Sequence, residues 1–116
     1  MNTTIQTKTA LPALGRFRLY VKALEWGRKV LALPIRGCLR DQLHRAAISV
    51  VLNVAEGGGL SSRGAKNRHF QIAMASLWEV SAVLDLTAAD ARVARVRQDL
   101  VEGLRELNAM LGALLR

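Results

Sequence analysis

From Val93 to Leu114 an aliphatic side chain recurs every third or fourth residue: Val93, Val96, Leu100, Leu104, Leu107, Leu111 and Leu114. Only an α-helix brings residues at those spacings onto one face. The stripe must therefore bury itself against partners, while Asp99, Glu102, Arg105 and Glu106 lie off it in water. Three other segments have helical character and comparable length. The first spans about Arg16 to Leu33, with a charged stripe of Arg18, Lys22, Glu25 and Lys29 and an apolar face of Phe17, Tyr20, Val21, Leu24 and Leu31. Pro34 stops it, because proline lacks an N–H and drives the preceding residue out of helical geometry. The second runs from Leu39 to Glu56 on a stripe of Leu43, Ala46, Val50 and Val54. The third is capped by Ser61 or Ser62 and runs to Ala88; the fourth runs from Ala91 to Arg116.

Short connections make sequence neighbours antiparallel. The expectation is an all-α chain: an antiparallel up-down-up-down four-helix bundle over residues 16–116, preceded by a flexible N-terminal arm over residues 1–15. A chain of 116 residues has enough material for one core. The third segment strains this plan, since between His69 and Ala89 its only charges are Glu79 and Asp85. A helix nearly apolar all round needs cover on several sides, and a lone bundle covers one. A further subunit is expected to supply the rest.

The stretch NVAEGGGLSS, residues 53–62, raises the question of a phosphate-binding loop. The nearest Walker-type match, GLSSRGAK, has Ala65 where the lysine is required, and a helix rather than a strand precedes it. A dinucleotide fingerprint fails for the same lack of a strand. The three glycines read instead as a corner, expected to adopt left-handed conformations at the helix end. His44, His69 and Cys38 are too few for a closed zinc site, and neither Glu56 nor Glu79 has a histidine three residues on, as carboxylate-bridged metals in bundles need. A Cys38–His44 dyad competes with a buried thiol and a surface imidazole, the plainer reading. The chain is therefore expected to be no enzyme, with no cofactor and no metal. The lone cysteine fits a reducing compartment, the N-terminus lacks the pattern of a secretory signal, and no uncharged apolar run is long enough to span a bilayer. A cytoplasmic location and no membrane role are expected.

On the second segment Arg45, Ser49, Asn53 and Glu56 form a polar line at spacings of four, four and three. Folding the second and third segments back about the glycines brings that line towards Ser76 and Glu79 and towards the basic start at Arg63, Lys66 and Arg68. Arg45, Ser49, Asn53, Glu56, Ser76 and Glu79 are expected to form a structural polar network, with a buried Glu79 paired to Arg45, since an unpaired charge in a dry interior is very costly.

HRAAISVVLNVAEGGGLSS, then HFQIAMASLWEVSAVLDL and ELNAMLGALLR, resemble a family of bacterial four-helix-bundle proteins that includes those encoded by intervening sequences in large-subunit ribosomal RNA genes. The resemblance covers residues 17–116 and centres on R-A-A-x-S, N-x-A-E-G and A-x-x-S-L-x-E. On that match Gln42, Arg45, Ser49, Asn53, Glu56, Gly57, Ser76 and Glu79 stand at the family's characteristic positions. The link LPIRGCL is shorter than usual, and Gly58 stands where the family often has an aromatic. The resemblance implies a homopentamer without catalytic activity. Through a related branch, accessory proteins of diversity-generating retroelements, it also implies nucleic acid and a reverse transcriptase as partners.

Charge bears on the partner as well. The net charge is +8, and residues 1–45, with nine basic and two acidic side chains, hold +7 of it. Such an excess draws polyanions. The expected activity is non-specific binding of RNA or DNA by a homo-oligomer, through phosphate contacts from Arg18, Lys22, Arg28, Lys29, Arg63, Lys66 and Arg68. Two other readings compete with it: a structural scaffold or protein-partner adaptor with no nucleic-acid role, and a small enzyme built on the Arg45–Glu79 region.

Overall fold

The computed structural model describes residues 9–116, which form helices and no strand. A single turn, α1 (Pro12–Gly15), is followed by four long helices: α2 (Arg18–Leu31), α3 (Gly37–Gly59), α4 (Arg63–Leu86) and α5 (Ala91–Leu115). The short helix was not expected. Pro12 opens it at a position where a missing N–H costs nothing. Residues 1–8 of the anticipated arm lie outside the described residues.

Each long helix packs on its sequence neighbours, and α5 returns to pack on α2, closing the arrangement around one core. Contacting residue numbers rise on one helix as they fall on its neighbour. Asn53 meets His69 and Ser49 meets Ser76 between α3 and α4, while Lys22 meets Glu106 and Lys29 meets Asp99 between α2 and α5. Leu43, Leu77, Leu84, Leu100, Leu107 and Leu111 are the largest sealed side chains. Burying an aliphatic side chain of this size contributes about 1.5–3 kcal/mol. Along α5 the stripe departs from expectation at two places: Val96 and Leu114 remain exposed. On an ideal helix both lie at the same angle, at one edge of the stripe, so one rotation of the helix leaves both outside.

The corners differ from the reading of local sequence. Gly57, Gly58 and Gly59 do not adopt left-handed conformations; they continue α3 as helix, and the chain leaves it at Leu60 with extended backbone. The glycine with positive φ is Gly37, at 71°, in the link that opens α3. Small size is what the other corner requires: a Cβ on Gly57 would lie 2.5 Å from the Phe70 ring, and one on Gly58 would lie 2.6 Å from the Phe17 ring. Ser62 caps α4 by accepting from the Ala65 N–H at 3.1 Å. Asp90 caps α5 by accepting from the Arg92 N–H at 2.8 Å. Among the described residues no helix is long and apolar enough to cross a membrane.

Candidate nucleic-acid interface

Between α3 and α4 a chain of polar side chains runs along the seam. Ser49 and Ser76 share a hydrogen bond of 2.7 Å between their hydroxyls, and the Asn53 amide N–H donates to the Ser49 carbonyl at 2.9 Å. That fixes the Asn53 carbonyl oxygen as an acceptor facing His69 Nδ1 at 3.0 Å, so Nδ1 carries the proton. Glu56 approaches the same nitrogen at 3.7 Å. Ser76 is buried; Ser49, Asn53 and His69 are half-buried. Arg45 and Glu79 stand apart from this chain. Both are exposed, Arg45 donates to the Gln42 side chain, and no ion pair joins Arg45 to Glu79. Water solvates each charge on the outer surface, and the desolvation that would demand a pair is absent. The member that sequence reasoning left out is His69. Its position was legible, since reflecting the two helices about their corner places residue 69 opposite 53.

The seven candidate phosphate contacts divide into two groups. Lys22 and Lys29 bridge from α2 to Glu106 and Asp99 of α5, at 2.8 and 3.1 Å. Lys66 donates to the Gly57 carbonyl at 3.0 Å, set against the negative end of α3, and Arg63 donates to the Arg116 carbonyl at 3.2 Å. Arg18, Arg28 and Arg68 are exposed and have no ion pair among the described residues. The same holds for Arg36, Arg40, Arg95 and Arg105, which the sequence reading did not single out.

The four long helices share an unusual charge placement. Each carries a cation within its first four residues: Arg18 in α2, Arg40 in α3, Arg63 and Lys66 in α4, Arg92 in α5. None has an acidic residue in its first turn. A helix N-terminus is already the positive end of the macrodipole, so each exposed cation there costs about 0.3–1 kcal/mol. At α5 the Asp90 carboxylate just before the helix is compensated by Arg92: the hydrogen bond from the Arg92 side chain holds the Asp90 pKa below the usual aspartate value. The starts of α2 and α4 share one end of the molecule, as the contacts of Phe17 with Gly58 and of Arg63 with Arg116 show. At the other end Lys29, Arg92 and Arg95 rim a groove of about 530 Å³ floored by Leu33, Val96 and Leu100.

Cys38 is exposed, whereas His44 is half-buried with its Nε2 sealed and unpartnered, the reverse of the plainer reading of that pair. Six residues apart on α3, the two lie on different helix faces. Among the described residues no three His, Cys, Asp or Glu side chains are grouped to hold a metal ion.

A family model described as 23S rRNA-intervening sequence protein matches residues 30–113. Neither the curated proteins nor the solved structures gave a match.

Proposed function

Because the chain belongs to the 23S rRNA-intervening sequence protein family, we propose that it is an up-down-up-down antiparallel four-helix bundle that assembles with copies of itself, as a pentamer, and binds RNA or DNA through phosphates without catalysis. The observation that carries this reading is the cation at the start of every long helix, without an acidic partner in α2, α3 and α4 and paired to Asp90 in α5. Charges placed against the macrodipole lower the protein's own stability, and a bound anion reverses that cost. A phosphate at such an end meets the positive helix terminus and a guanidinium or ammonium together. Arg18, Arg63, Lys66 and Arg68 gather this potential at one end. Arg28 and the ion-paired Lys22 and Lys29 extend it along α2. Each copy adds +8, so assembly multiplies the attraction. The bundle has four aromatic side chains besides Tyr20 and no recognition helix of helix-turn-helix type, which favours backbone contact over base reading.

The experiment is a fluorescence anisotropy titration with labelled RNA and DNA strands across a salt series, paired with light scattering. The proposal predicts affinity falling linearly with salt on logarithmic axes and a mass several times 12.7 kDa. Absence of retention of either polymer at low salt removes the nucleic-acid reading. A monomer at micromolar concentration removes the assembly.

A further inference from the structure

The outer side of α4 carries Trp78, 65% exposed. It is not a loose side chain: its indole N–H donates to the Asn108 Oδ1 on α5 at 2.9 Å, which holds the ring across the α4–α5 seam. Ala75 and Ala82, a turn to either side, are exposed and small, so another surface can approach the ring closely. A tryptophan fixed in orientation before binding loses little entropy when covered, which is the character of an interface anchor.

On the opposite side of the molecule, along the α2–α3 seam, lies an almost wholly apolar groove of about 170 Å³. Its walls include Leu24, Leu31, Ile48 and Leu52, and Arg28 is its one charged lining residue. Apolar cavities of about 150 Å³ accept an aromatic ring. The charges also correspond. From Phe70 to Leu86, α4 has Glu79 and Asp85 and no cation; Asp85 is paired to Arg97 of α5 and Arg105 lies on the α5 side of Trp78, which leaves Glu79 as the unpaired acid of this face. Glu79, beside Trp78, is exposed without an ion pair, and so is Arg28 at the groove.

We propose that Trp78 of one copy of this chain inserts into the α2–α3 groove of a second copy, with Glu79 facing the neighbour's Arg28. The surface rests on the self-assembly proposed above and identifies where it occurs. Anchor and groove occupy opposite sides, so a copy cannot return the contact to the neighbour from which it receives one. Association is head-to-tail and continues until it closes.

Two variants test it. Trp78→Ala keeps the groove and loses the anchor; Leu52→Arg keeps the anchor and blocks the groove. Both positions are exposed, and circular dichroism checks that each remains helical; Ile48→Arg serves as a second groove block. Sedimentation velocity should show the wild type assembled and each variant alone as a monomer. An equal mixture of the two should give a dimer, since one intact contact remains and the chain cannot grow past it. Retention of the wild-type mass by either variant, or a mixture that stays monomeric beside an assembled wild type, overturns this surface and leaves assembly standing. A monomeric wild type overturns both.

Discussion

Gly57 of α3 abuts the ring of Phe70 on α4, so near that a Cβ on the glycine would stand 2.5 Å from the ring's Cε1. Both residues are buried, Gly57 in the last turn of α3 and Phe70 two turns into α4. The contact explains one of the three glycines that end the helix, as the Phe17 ring explains Gly58. In isolation, replacing a helical glycine by alanine gains up to about 1 kcal/mol. Here the overlap wins: Gly57→Ala should lower stability by about 1–3 kcal/mol, the cost of forcing an extra methyl into a packed site. Gly64→Ala, where nothing lies within 4 Å, should be neutral or stabilising. Urea unfolding midpoints of the two variants decide the matter.

The seam of Ser76, Ser49, Asn53 and His69 predicts an energetic coupling. Asn53→Ala leaves His69 Nδ1 with only the longer approach of Glu56, and should cost about 1–3 kcal/mol. In a double-mutant cycle with His69→Ala, the two changes should couple by at least about 0.5 kcal/mol. Strict additivity would show that the bond contributes nothing.

Asp90 gives a prediction about acid. Its folded pKa lies below the ordinary value because Arg92 hydrogen-bonds and attracts its carboxylate. The stabilisation is therefore fully present above the pKa of an unfolded aspartate and is lost as pH falls through the lower, folded value. A carbon-detected NMR titration should place Asp90 below pKa 3.8, and Arg92→Ala should bring it back towards that value.

Exposed and paired cations should separate in binding. Arg68→Ala removes an unpaired charge from the basic end and should reduce the salt slope of RNA affinity by about 0.7–1, with stability changed by less than about 0.5 kcal/mol. Lys22→Ala deletes a cation that Glu106 already offsets, so its effect on the salt slope should be the smaller of the two, while its stability cost stays within about 1 kcal/mol. Equal slopes for wild type and Arg68→Ala would place the polyanion elsewhere.

Much of the helical layout could be read from neighbouring residues alone. Side chains three and four apart share a face, so Val93, Leu100, Leu104, Leu107 and Leu111 announced a buried stripe, and they are buried. Pro34 set a stop and Ser62 a start for the same local reason: each acts on backbone groups within one turn. The roles of the glycines escaped that reading. A run of glycines permits both a left-handed end and a close approach, and the choice belongs to Phe17 and Phe70, which only folding brings against α3. Arg45 and Glu79 escaped it too, because their need for a partner depends on burial, and burial depends on which way a whole helix is turned. Backbone preference is a property of a few consecutive residues. Proximity between side chains far apart in the chain is a property of the packed molecule.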